Sequence, residues 1–99
     1  MKKILITRKL LKSHEDKALQ IFDAKLNSND ELYPQTKLIE LSKGCDGILT
    51  SITDKIDEEI INKLSDTVKI ISNFAVGFGN IDLEAANKKN ISHKKIDKG

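Results

Sequence analysis

Apolar residues in this chain come in short runs separated by segments whose apolar positions recur at helical spacing. The first run, Ile4-Leu5-Ile6-Thr7, is continuous rather than alternating, which marks a strand covered on both faces, as in a parallel sheet. Ser13 offers an N-cap, with Asp16 three residues on. Ala18, Leu19 and Phe22 follow at helical spacing and predict a helix over about 14–25. Leu26 to Leu32 is polar, and any strand there must be short and at a sheet edge. Pro34 suits a first helical turn, Leu38, Ile39 and Leu41 supply its apolar stripe, and Gly44 suits its C-terminal exit.

Gly47-Ile48-Leu49-Thr50 reads as the next buried strand. Asp57 can cap a third helix, with Glu58 and Glu59 at its positive end and Ile60, Ile61 and Leu64 on its apolar face. Val68 to Ala75 is the longest strand signal, and Val76 to Asn80 a loop containing Gly77 and Gly79. Asp82 can cap a fourth helix, with Leu83, Ala85 and Ala86 facing inward. Ile91 announces another strand, but Ser92-His93-Lys94-Lys95 ends the apolar run at once, and no strand is expected there.

The order is β-α-(β)-α-β-α-β-α-(β). Strands alternating with helices over short connections predict an α/β fold with a parallel sheet and right-handed crossovers. With 99 residues there is material for one domain and a modest core. No repeat or low-complexity linker divides the chain.

Charge narrows the choice of partners. Seventeen basic and fifteen acidic residues leave a net charge of +2, so an anionic polymer is not required. The one basic cluster, Lys88, Lys89, Lys94, Lys95 and Lys98, has no interleaved aromatic residue to stack on bases and reads as a solvated helix end and tail. No nucleic-acid partner is expected. The opening apolar stretch is too short for a signal peptide, no run is long enough to cross a bilayer, and Cys45 has no second thiol with which to pair. A cytoplasmic protein without a membrane partner is expected, with Cys45 as a small buried thiol rather than a nucleophile.

Ligands of open α/β sheets bind at the carboxyl ends of the strands. Three such ends can be located: Thr7-Arg8, Thr50-Ser51-Ile52-Thr53 and Ala75-Val76-Gly77-Phe78-Gly79-Asn80. The glycines of the last can expose main-chain N–H groups to a carboxylate or phosphate. Spacing alone favours the plainer reading, a glycine loop that only permits a tight strand-to-helix turn. The dinucleotide fingerprint G-x-G-x-x-G fails, because its third glycine position is Asp82. His14 and His93 lack a carboxylate at dyad spacing, and no metal-ligand cluster exists. No catalytic, cofactor-binding or metal-binding residue is therefore assigned, and Arg8 reads as a surface residue.

The blocks Asp46-Gly47-Ile48-Leu49-Thr50-Ser51-Ile52-Thr53-Asp54-Lys55-Ile56-Asp57 and Lys69-Ile70-Ile71-Ser72-Asn73-Phe74-Ala75-Val76-Gly77-Phe78-Gly79-Asn80-Ile81-Asp82 resemble, in order and spacing, the amino-terminal region of D-isomer-specific 2-hydroxyacid dehydrogenases. The look is that of the glyoxylate/hydroxypyruvate reductase branch, which the opening Lys3-Ile4-Leu5-Ile6-Thr7-Arg8 also fits. The resemblance implies a flavodoxin-like parallel sheet with helices on both faces, forming a substrate-binding lobe over residues 1–91. A second, Rossmann lobe would carry NAD or NADP. It also implies that main-chain N–H groups of Val76 and Gly77 hold the carboxylate of a 2-oxo or 2-hydroxy acid, and that Ser51 and Ile52 line the same pocket.

Residues 92–99 depart from the family pattern as a divergent lysine-rich tail, and the cofactor fingerprint and the family's catalytic arginine, glutamate and histidine do not occur. The expectation is an incomplete, truncated lobe that binds no cofactor alone, is inactive alone and does not form the family dimer without the cofactor domain. Two other readings stand beside it. One is a stand-alone flavodoxin-like binding or regulatory module, although Arg8-Lys9 replaces the acidic residues a phosphoacceptor would need after its first strand. The other is a small interaction protein acting through its basic tail.

Overall fold

The computed structural model describes residues 1–74 and 79–95. Five strands, β1 (Lys3–Ile6), β2 (Asp23–Lys25), β3 (Gly47–Ser51), β4 (Ile70–Phe74) and β5 (Ser92–Lys95), alternate with four helices, α1 (Lys12–Ile21), α2 (Gln35–Leu41), α3 (Glu58–Lys63) and α4 (Leu83–Lys88). The sheet order is β2-β1-β3-β4-β5 and every pairing is parallel. This is the doubly wound, flavodoxin-like arrangement. The chain winds one way from β1 to β2 and the other way from there to β5. Right-handed crossovers in opposite directions put their helices on opposite faces. Thus α1 stands on one face, packed beside β2, while α2, α3 and α4 pack side by side on the other.

The two faces are unequally filled. Leu5, Ile48 and Ile71 lie in one cross-strand row and join Leu38, Ile56, Ile60, Ile61, Leu64, Ala85 and Ala86 in the core under α2–α4. Burying each large aliphatic side chain contributes about 2 kcal/mol. On the opposite face Ile6 is buried, but Ile4, Leu49, Ile70 and Phe74 are only half-buried, and α1 has no fully buried residue.

Local chemistry explains most boundaries. Asp57 and Asp82 cap α3 and α4 as their spacing predicts, each carboxylate accepting a backbone N–H, from Ile60 and Ala85 respectively, at 3.0 Å. Pro34 stands at the N-cap of α2. Gly44, at φ +77°, turns the chain towards β3. Helix α1 departs from expectation at both ends. Its N-cap is Leu11, whose carbonyl accepts from His14 and Glu15 N–H groups, so Ser13 falls inside the first turn. It stops at Ile21 because Asp23 N–H is drawn into the sheet by Lys2 O at 2.9 Å, opening β2 where helix was predicted. The resulting strand is short and lies at the sheet edge.

The expectation of no strand after Ile91 is corrected. Residues Ser92–Lys95 pair with β4 from Ile70↔Ser92 to Asn73↔Lys95. An edge strand has one neighbour and an open flank, so backbone pairing suffices without an apolar run, and edge lysines are common. Only Ile91, immediately before it, is plugged into the core.

Candidate functional site

Topology selects the site. The chain reverses its winding direction between neighbouring strands β1 and β3, and a crevice opens outside the carboxyl ends of strands at such a switch point. Here it is an open cleft of about 580 Å³, lined by Arg8 and Lys9 after β1, Ser51, Ile52 and Thr53 after β3, and Phe74 at the end of β4. Leu10, Leu11 and His14 from the start of α1 and Asp30 from the loop after β2 complete the wall.

The floor beside this cleft is a buried polar layer. On the core face of the sheet the row after Ile48 and Ile71 is Thr50 and Asn73, and Thr50 Oγ1 donates to Asn73 Oδ1 at 3.0 Å. Asn73 Nδ2 donates to Asn80 Oδ1 at 2.8 Å. Asn80 Nδ2 in turn donates to the carbonyls of Ser51 and Asp54, both at 2.9 Å. The Asp54 carboxylate is 2% exposed, and its Oδ2 accepts from Ser51 N at 3.0 Å and from the Thr7 hydroxyl. Asn27, also buried, donates to Thr7 O at 2.8 Å and to Glu31 O at 2.7 Å. Side-chain amides and a carboxylate thus satisfy the loop backbone that would otherwise be orphaned at the edge of the core.

A second layer lies at the surface. Arg8 forks onto Asp30, with Nε to Oδ1 at 2.8 Å and Nη2 to Oδ2 at 3.1 Å, and its Nη1 donates to Thr53 Oγ1 at 2.7 Å. Lys9 N also donates to Asp30 Oδ1 at 2.9 Å. The Arg8 hydrogen bond, then that of Lys9 N, holds the Asp30 carboxyl down at about 2, and the same pairing raises Arg8 further above its already basic value. Arg8 is therefore a tethered residue rather than the loose surface group its sequence position suggested.

Of the residues singled out in the sequence, Ser51 and Ile52 line the cleft, with Ile52 62% exposed. Val76 and Gly77 lie outside the described residues. Their flanks, Phe74 at the cleft wall and Asn80 in the polar layer, are described. Asp54, Asn73, Asn80 and Asn27 went unassigned in the sequence. The available signal was a polar residue inside an apolar strand, Asn73 in Ile70–Phe74, which has to find a partner. His14 lies at the cleft wall with no hydrogen bond to a carboxylate among the described residues, and His93 lies on β5, away from it in sequence and in strand order. Cys45 is buried, its thiol pushed up by burial, which suits packing rather than attack. No three potential metal ligands gather among the described residues.

The lysine cluster is partly absorbed by the fold. Lys89 Nζ donates to Ile61 O and Leu64 O at the end of α3, and Lys88 pairs with Glu84 at 3.6 Å. No helix among the described residues is long and apolar enough to cross a membrane.

The family model for the D-isomer specific 2-hydroxyacid dehydrogenase, catalytic domain, matches residues 4–95. The chain belongs to this dehydrogenase family. Glycerate dehydrogenase from Hyphomicrobium methylovorum is 31% identical over 90 residues, covering 91% of this chain and 28% of that protein. Glyoxylate reductase from Thermococcus litoralis is 32% identical over 89 residues, covering 90% and 27%. A Polaromonas sp. structure assigned to the D-isomer specific 2-hydroxyacid dehydrogenases, NAD-binding, superposes with a TM-score of 0.89 at 26% identity, over 94% of this chain and 29% of that one. The chain thus spans under a third of the length of these relatives.

Among the described residues, the start of α4 does not fit the pyrophosphate of a nicotinamide dinucleotide. In the first turn of α4 the Ala85 N–H is already taken by the Asp82 carboxylate. A negative side chain occupies the place where a pyrophosphate would have to sit.

Proposed function

We propose that this chain is the substrate-side lobe of an NAD(P)-dependent D-2-hydroxyacid dehydrogenase and binds a small 2-oxo acid such as glyoxylate or hydroxypyruvate. In this reading the lobe comprises residues 1–91, extended at its edge by the strand that follows. Val76 and Gly77 supply main-chain donors to the substrate carboxylate, and Ser51 and Ile52 form the adjoining wall. NAD or NADP belongs to a separate lobe, and this chain alone binds neither, works on no substrate and does not assemble the family dimer. The protein acts in the cytoplasm, in keeping with one buried, unpaired cysteine.

The observation that carries the reading is the cleft at the β1/β3 switch point with Ser51 and Ile52 in its wall. Reduction of a 2-oxo acid requires a positioned hydride donor and a general acid for the developing alkoxide. No hydride donor is found among the described residues of the cleft. Of its charged groups, Arg8 and Asp30 are engaged with each other, and Asp30 stays ionised at neutral pH.

Calorimetric titration of the purified chain with glyoxylate tests the proposal. Saturable binding is expected, together with no oxidation of NADPH when both are supplied. Turnover by the chain alone, or no detectable heat with any small 2-oxo acid, contradicts it.

A further inference from the structure

We propose that Arg8 is a positioning residue for the pocket wall: braced by Asp30, it holds the Ser51–Thr53 turn, and with it Ile52, in its binding geometry. The proposal rests on the reading of Ser51 and Ile52 as pocket wall and adds the element that sets their position.

Ile52 is 62% exposed, so packing does little to fix it. Its place depends on the turn backbone. On the buried side that backbone is held by Asp54 and Asn80 at its two ends, through Ser51 N, Ser51 O and Asp54 O. Ile52 and Thr53 lie between those ends. On the solvent side Arg8 Nη1 reaches Thr53 Oγ1 at 2.7 Å, and Thr53 Oγ1 meets Ser51 Oγ at 2.8 Å. Ser51 Oγ also accepts from Thr53 N at 3.4 Å. The contacts close a small ring around Ile52, with Arg8 as its outside anchor.

Arginine suits this role for a geometric reason. A planar guanidinium can place two nitrogens on one carboxylate and still aim the third elsewhere. The brace is itself fixed. Asp30 sits at φ +51° in the turn closed by Asp30 N to Asn27 O at 3.0 Å, and Lys9 N shares its Oδ1. With Asp30 balancing its charge, Arg8 serves as a strut rather than as a receptor for the substrate anion. A lysine has one nitrogen and cannot hold both Asp30 and Thr53 in the same way.

The test uses the full chain and four variants: Arg8→Lys, Asp30→Asn, Thr53→Val and Thr53→Ser. Backbone amide order parameters are measured without ligand, and glyoxylate affinity is measured by titration. In the parent and in Thr53→Ser, which keeps the hydroxyl, the amides of Ile52 and Thr53 should have order parameters of about 0.85. In the other three variants they should fall below about 0.6. Glyoxylate binding should weaken about tenfold in those three variants and hold in Thr53→Ser. Unchanged amide order in Arg8→Lys and Thr53→Val overturns the proposal whether or not glyoxylate binds. Normal amide losses with no glyoxylate binding by the parent chain leave the strut in place and refute instead its assignment to a substrate pocket. Equal effects in Thr53→Val and Thr53→Ser mean that the hydroxyl is not the contact and also overturn it.

Discussion

Asn80 accepts the side-chain amide of Asn73 at 2.8 Å and, with its own amide, holds the carbonyls of Ser51 and Asp54 at 2.9 Å each. One side chain therefore joins the carboxyl end of β4 to the turn after β3. The backbone repeats the join, since Ile56 N donates to Asn80 O at 2.8 Å and Asp82 N to Ile56 O at 2.9 Å. Replacing Asn80 by alanine removes its amide's bonds to the Ser51 and Asp54 carbonyls and the oxygen that accepts from Asn73. Losing these buried hydrogen bonds together costs about 2 kcal/mol, or roughly 10 °C in midpoint for a domain of this size. Thermal unfolding of Asn80→Ala measures it, and a midpoint within about 2 °C of the parent would mean that the join is dispensable.

Acid should loosen the surface layer before it touches the core. The Asp30 carboxyl sits at about 2, below its ordinary 3.8, chiefly because Arg8 hydrogen-bonds to it. A carboxyl depressed in the fold stabilises it above the unfolded value, and that contribution disappears as pH falls from about 4 towards 2. The Asp57 carboxyl is lowered as well, first by Ile60 N–H, and adds to the same window. Unfolding midpoints from pH 5 to pH 2 should therefore fall more steeply for the parent than for Asp30→Asn. Parallel curves would show that the Arg8–Asp30 pair contributes nothing to stability.

At Gly47, β3 lies close against Ile70 of β4. A Cβ there would lie 2.9 Å from Ile70 Cγ2 and 3.4 Å from Ile70 O. Cγ2 is fixed directly to the branched Cβ of Ile70, so it has little freedom to yield. Gly47→Ala should cost about 1–3 kcal/mol by overpacking. Chemical denaturation reads it, and a stability equal to the parent would show that the β3–β4 spacing yields freely.

Much of the fold was legible because its signals are local. Asp57 and Asp82 announce their helices by spacing, and each carboxylate is found on the N–H three residues on. Ile60, Ile61 and Leu64 mark one helical face, and all three are buried. The failures lie where pairing with a distant strand decides. Asp23 looks helical until Lys2 O captures its N–H, and Ser92–Lys95 looks like tail until β4 offers it a backbone partner. The site divides the same way. The strand ends carrying Ser51 and Ile52 could be located from the run of apolar residues. The Arg8–Asp30–Thr53 contact joins residues 22 and 45 positions apart, and nothing in the local pattern encodes it.

The direct test of a cleft that grips a 2-oxo acid is a residue-resolved amide NMR titration of this chain with glyoxylate. Saturable shifts are expected at Val76, Gly77, Ser51 and Ile52, with those of α4 and β5 unchanged. Shifts confined to the lysines of α4 and β5, or none at the ends of β3 and β4, would contradict the account.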